Sequence, residues 1–426
     1  MSRMFESLSE RNYRVWFAGA LVSNVGTWMQ RIAQDWLVLT VLTDHSGTAT
    51  GIVTGLQFLP VLLLSPYAGV LADRMSKLKL LKLTQAGSGL LALVLGILVL
   101  THTVQLWHVD VIAFLLGVVA AFDGPPRQAL VNDLVPQRLV PNAVSLNSTS
   151  FNLARMAGPG VSGLLIGLVG TGWLFLLNAA SYVAVIIALC AMKEAGFYGS
   201  QKRAARQKGQ VREGVRYIAA SPTLVMIFVM AFVIGTFGLN FQIFNAVMST
   251  TVFGKGPEEY GILGTIMAVG TLGGALLAAR RQGSRVKHAV GGAVVFGVAM
   301  IASAWAPGFW WFALVLVPTG LASITFLNSA NVTVQMSVRS EYRGRVMALY
   351  MMVVQGGTPL GAPIMGWLAE VFGARWSVFL GGGASLLVAV WGLIYWSRHH
   401  RGELRGRLRY YRSRVLPWQE PEGPAA

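Results

Sequence analysis

Long apolar runs alternate with short polar or glycine-rich connections along almost the whole chain. Runs near 14–42, 49–72, 79–101, 107–127, 143–169 and 172–192 are followed, after a polar interruption, by a second set near 222–252, 258–279, 287–306, 309–332, 345–372 and 375–396. About 20 apolar residues are enough for a helix to cross a hydrocarbon core. Within lipid only helices and closed barrels satisfy their own backbone polar groups. The pattern therefore predicts an all-α polytopic membrane protein with twelve transmembrane helices in two pseudo-symmetric six-helix bundles.

Composition sharpens this reading. The chain has 426 residues, of which 54% are hydrophobic and only 12% charged, with a mean hydropathy of +0.58; a soluble domain carries about twice that charge. The net charge of +17 would suggest nucleic acid in a soluble protein, but here the cations lie between apolar runs and in one tail, as Lys and Arg do on the cytoplasmic side of a membrane. Arg74, Lys77, Lys79 and Lys82 fall in one such connection, Arg127 and Arg138 in the next, then Arg280, Arg281, Arg285 and Lys287, then Arg339, Arg343 and Arg345. The opposite connections hold only Lys255 and Arg375. The expected location is the plasma (inner) membrane, with both termini cytoplasmic and no nucleic-acid partner. The domain boundaries expected are a lead-in at 1–13, a first bundle at 14–192, a basic linker at 193–221, a second bundle at 222–396 and a basic tail at 397–426. No signal peptide is apparent, the single Cys190 lies in an apolar run, and no metal or cofactor motif occurs.

A weak internal repeat supports the two halves. Thr50-Gly51-Ile52-Val53-Thr54-Gly55 recurs as Tyr260-Gly261-Ile262-Leu263-Gly264-Thr265 at the same place in the second half. Parallel halves of this kind enclose a cavity near mid-membrane. On the first span Asn24, Trp28, Arg31 and Asp35 share one helix face. A charge facing lipid costs about 2.5–3.5 kcal/mol at a helix centre, so Arg31 and Asp35 are expected to pair or to line water, and being four apart they are able to pair with each other. They are the proton-coupling candidates, with a static ion pair as the alternative. Arg155, near the middle of the fifth span, is a candidate for an anionic or polar substrate group, for pairing with Asp35 or Asp123, or for a plain interhelical hydrogen bond. Asn24, Gln34, Gln57, Asn152, Gln242, Asn245, Asn328, Asn331 and Gln335 are candidate cavity residues, with helix-packing glue as the alternative for each.

The stretch Gly69-Val-Leu-Ala-Asp73-Arg74-Met-Ser-Lys77-Leu-Lys79 resembles the signature loop between helices 2 and 3 of the major facilitator superfamily. That resemblance implies a gate, in which Asp73 caps helix 11 beside Arg343 and Arg345, placed just before that helix, and a loop cation such as Arg74 meets an acid on helix 4, for which Asp123 in Phe122-Asp123-Gly-Pro-Pro126-Arg127 is suitable. Gly158, Pro159 and Gly163 resemble the helix-5 motif of facilitator antiporters, although Ala154 and Ser145 stand where that motif has glycine. The arginine that drug/proton antiporters carry in mid-helix 4 is absent from Leu115 to Phe122. The chain as a whole resembles the branch containing enterobactin exporters and macrolide efflux proteins. The resemblance implies a monomeric, proton-coupled secondary transporter that exports a hydrophobic, drug-like or siderophore-like small molecule by alternating access. An importer or lipid-handling facilitator of the same fold is one alternative, and a non-transporting receptor or a polytopic membrane enzyme is another. No P-loop, nucleophile elbow or His-Glu-x-x-His pair occurs, so an enzyme is not expected.

Overall fold

A computed structural model describes residues 3–192, 197–198, 210–280 and 285–399. Linker cations Lys202, Arg203, Arg206 and Lys208, loop residue Arg281 and the tail from His400 lie outside the described residues, as do the side chains of Gly69, Asp73 and Arg74. Every described element is helical. The first half holds α1 (Arg11–Trp36), α2 (Gly47–Arg74), α3 (Lys77–Leu100), α4 (Leu106–Asp133), α5 (Val140–Val169) and α6 (Thr171–Ala191). A short linker helix, α7 (Gln210–Ala219), precedes the second half: α8 (Pro222–Val233), α9 (Phe241–Val247), α10 (Pro257–Arg280), α11 (Arg285–Ala304), α12 (Phe309–Ser337), α13 (Ser340–Val371) and α14 (Ala374–His399).

Local chemistry sets the breaks. Ser46 caps α2, its hydroxyl accepting from Ala49 N–H, and proline opens α8 and α10. Gly170 and Gly373 turn the chain with φ of +83° and +95°, a conformation that costs glycine nothing. The predicted seventh span is not one helix. It runs α8, a π-turn at Ile234–Gly238, a break at Leu239 and Asn240, α9 and a second π-turn at Met248–Val252. A third π-turn, Leu37–Leu42, extends α1. In each π-turn a threonine hydroxyl bonds the carbonyl four residues back, Thr40 to Trp36, Thr236 to Phe232 and Thr250 to Ala246, a contact that loosens the regular ladder.

Ten of the described helical stretches are long and apolar enough to cross a membrane. α1 and α13 are not apolar enough, yet they have 26 and 32 residues and pack like the rest. In the first half α1 packs on α5 and α6, α3 on α4 and α6, and α2 on α4; in the second, α10 packs on α12, α11 on α12 and α14, and α13 on α14. The halves meet along two seams, α2 against α13 and α5 against α10.

The end of the bundle that carries the chain termini is the terminal end, and the end carrying Gly170 and Gly373 is the far end. At the far end Gly51 lies so close to α13 that a Cβ would stand 2.3 Å from the Ala362 carbonyl, and one on Gly163 would stand 2.4 Å from the Pro257 carbonyl of α10. One apolar core runs through both halves. A second core, built on Tyr13, Trp16, Leu81 and Leu130, belongs to the first half alone at the terminal end. Among the described residues the hydrogen bonds that join the halves lie at Arg155 and Thr271 or on the far side of them.

Candidate functional site

The ionisable residues of α1 occupy the middle of the first bundle. Asp35 is buried, and its carboxylate accepts from the hydroxyl of Tyr260 on α10 at 3.3 Å. Trp36 stacks on the same tyrosine ring at 6.1 Å. Residues 225 positions apart thus tie the two halves together in the first turn of α10, toward the far end. Arg31 does not pair with Asp35: no ion pair joins them among the described residues. The reason is directional, since Asp35 faces the α10 seam while Arg31 points into its own bundle. There its guanidinium lies over the rings of Trp28 at 4.9 Å and Phe58 at 5.6 Å, a contact worth about 0.5–2 kcal/mol per ring. Its Nε is buried without a hydrogen-bond partner.

Arg31 borders a chamber of about 90 Å³ lined by polar groups of α1, α2, α3 and α6, among them Thr27, Gln30, Gln57, Ser88, Asn178 and Tyr182. The Asn178 amide donates to Gln30 Oε1 at 2.5 Å, Ser181 donates to Asn178 Oδ1 at 2.9 Å, and the hydroxyls of Thr27 and Tyr182 lie 3.3 Å apart. Of the predicted cavity residues only Gln57 joins Arg31 here. Asn24 donates weakly to Ser150 at 3.5 Å between α1 and α5, and Gln34 is buried with its carbonyl unpartnered.

Arg155 pairs with neither Asp35 nor Asp123. It donates to Thr271 of α10 at 3.0 Å, across the seam between the halves. One turn further along α5, Gly158 leaves room for Trp28, and Pro159 and Gly163 receive α10. The helix-5 motif is therefore an interface with the other half as well as with α1. Asn152, Asn331 and Gln335 lie on the terminal side: Asn152 bonds its own helix at Ser148 and is exposed, and Gln335 donates to Asn331. Asn328 and Gln242 are half-buried, while Asn245 is buried in the second bundle with an unpartnered carbonyl. The structure does not gather these amides into one site.

The gate residues are arranged differently from the expectation. Asp123 is taken within its own bundle, accepting from Thr84 and Gln85 at 2.7 Å each and pairing with Arg127 at 2.6 Å one helical turn away. Arg127 also lies over the ring of Trp16 at 5.3 Å. Among the described residues the α4 acid that meets a loop cation is Asp133, paired with Lys77; the expected contacts of Asp73 and Arg74 lie outside the described residues. Arg343 and Arg345 do not precede helix 11; α13 begins at Ser340 and contains both. Arg345 pairs with Glu213 of α7, beside the stacked rings of Tyr217 and Tyr342, and Arg343 is exposed.

A contact at the opposite end was not foreseen. Glu370, at the last turn of α13, accepts from Ser46 Oγ at 2.6 Å and from Thr48 N–H at 3.0 Å. A second-half carboxylate thus caps the first turn of α2. Tyr260 could have been noticed from the repeat, where it occupies the place of Thr50. Glu370, Asp133 and Asn178 carry no sequence signal that names their partners.

With that geometry in hand, comparison with known proteins places it in a group. A family model described as transmembrane secretion effector matches residues 2–405. The chain is 27% identical to the staphyloferrin A transporter of Staphylococcus aureus, over 84% of this chain and 90% of the relative. It is 26% identical to the multidrug efflux pump Tap of Mycolicibacterium fortuitum, over 83% and 88%, and 22% identical to macrolide efflux protein A of Streptococcus pyogenes, over 89% and 94%. Among solved structures, an inward-facing bacterial homologue of the human lysosomal transporter Spinster covers 91% of this chain and 96% of its own with a TM-score of 0.70 at 16% identity. The nucleoside transporter NupG covers 91% and 99% with a TM-score of 0.68 at 13% identity. Both likenesses are of fold.

Proposed function

Since the chain belongs to the transmembrane secretion effector family of major facilitator transporters, and is a multi-pass membrane transporter rather than an enzyme, we propose that it exports a small molecule by proton-coupled alternating access. In this reading α1 and α13 are spans as well, making twelve. The cation-rich terminal end is cytoplasmic in this reading, and the gathering of the hydrogen bonds between the halves toward the opposite end supports a conformation that opens inward. The cargo is hydrophobic, drug-like or siderophore-like, in keeping with what the relatives are named for.

The observation that carries the proposal is the bond from Tyr260 to Asp35. It joins an intramembrane carboxylate of one half to the other half, at the seam that must separate for the far end to open. A proton on Asp35 and the opening of that seam therefore affect each other, which is the coupling a secondary transporter requires. The pairing of Arg31 with Asp35 is not needed. Asp35→Asn in proteoliposomes is expected to lose at least 90% of cargo accumulation driven by a pH gradient, while counterflow without a gradient persists. Undiminished gradient-driven accumulation would remove Asp35 from the mechanism.

A further inference from the structure

We infer that the chamber beside Arg31 is an oxyanion site that receives a carboxylate group of the transported molecule; this rests on the transport reading above. Its lining residues include one guanidinium, hydroxyls and amides, and no acid. Two of its amide oxygens are already engaged, that of Gln30 by Asn178 and that of Asn178 by Ser181, so beside Arg31 the chamber can turn the N–H of Gln57 and its hydroxyls toward an anion. Arg31 has no hydrogen bond and no ion pair among the described residues, and the one carboxylate within helical reach, Asp35, is held by Tyr260. The rings of Trp28 and Phe58 hold the guanidinium by its faces, leaving its planar fork, which matches a carboxylate in two parallel hydrogen bonds. The volume of about 90 Å³ equals roughly three waters at ~30 Å³ each. That suits an acid group and the carbon bearing it, with the remainder of the molecule outside the chamber.

The test is calorimetric binding to the full-length protein in nanodiscs of zwitterionic lipid, using benzoate, tricarballylate, inorganic phosphate and the lipophilic cation tetraphenylphosphonium as probes. We expect saturable binding of a carboxylate, weakened at least tenfold in Arg31→Gln and partly retained in Arg31→Lys, with Lys255→Gln, which removes a cation at the far end paired with Glu259, as a comparison that leaves the chamber intact. Gln57→Leu, which removes a donor and no charge, should weaken the same binding three- to tenfold and serves where R31Q does not accumulate. Carboxylate binding unchanged within twofold in R31Q or Q57L overturns the assignment, and so does binding of phosphate or tetraphenylphosphonium with none of either carboxylate. Flux in proteoliposomes separates the two claims. Movement of tetraphenylphosphonium without any carboxylate binding sinks the oxyanion site and leaves transport standing. Arg31-dependent carboxylate binding with no flux of any probe keeps the site and sinks the transport reading.

Discussion

Two side chains four residues apart on α1 divide the labour: Asp35 turns to the other half, and Arg31 turns inward to a donor-lined chamber. Tyr260 is the residue that separates them. Tyr260→Phe keeps the stack with Trp36 and removes only the hydroxyl. It is expected to raise the fraction of molecules open at the far end two- to fivefold, read as maleimide accessibility of a cysteine placed at the buried Leu263; unchanged accessibility would mean that the bond does not hold the seam. Close backbone approach makes a second demand at this scale. Gly163→Leu would drive a side chain into the Pro257 carbonyl of α10, overpacking that costs about 1–3 kcal/mol. A lowered unfolding midpoint with loss of flux is expected, whereas a wild-type midpoint would show that the seam yields. The spacing of Asn24, Trp28, Arg31 and Asp35 drew attention to α1, because a charge in the membrane has few tolerable positions, but the fold turns them apart: Asn24 and Trp28 to α5, Arg31 to the chamber and Asp35 to α10. Their partners were not readable, because Tyr260 and Asn178 reach them through the tertiary fold and leave no local periodicity.

Between elements, the expected contacts of the loop after α2 fall on side chains outside the described residues, and the described contact between α2 and α13 is at the far end, Glu370 of α13 on the first turn of α2. A carboxylate at a helix N-terminus contributes about 0.3–1 kcal/mol, more where partly buried. Glu370→Ala is therefore expected to shift the population toward far-end opening by two- to tenfold, measured by the accessibility of a cysteine at Thr48; no shift would reduce the contact to an ordinary cap. At the terminal end the linker helix α7 grips α13 through Glu213 and Arg345, so the arginines predicted as partners of Asp73 are, in this conformation, already engaged or exposed. Span length was legible because apolar runs of lipid-crossing length have no other use. The break after Gly238 was harder to see, because the run from 222 to 252 remains apolar throughout and only its threonines and glycines mark the π-turns.

For the whole molecule, the polar contacts between the halves are unevenly placed: among the described residues those of Asp35, Glu370 and Arg155 lie at the plane of Arg155 and Thr271 or on its far side. The proposed reading puts the cation-rich terminal end in the cytoplasm. In intact cells an impermeant maleimide is thus expected to label a cysteine at Asp44 and to spare one at Ser76, both exposed positions; the reverse pattern would invert the topology. The most direct test of alternating access is a pair of spin-label distances in proteoliposomes, after Cys190, the single native cysteine, is replaced by serine. One pair spans the far end at Asp44 and Phe372, and the other spans the terminal end at Ser76 and Arg343. On changing pH or adding cargo, the far-end distance should lengthen in the same fraction of molecules in which the terminal-end distance shortens. Two distances that stay fixed, or that lengthen together, would contradict the account.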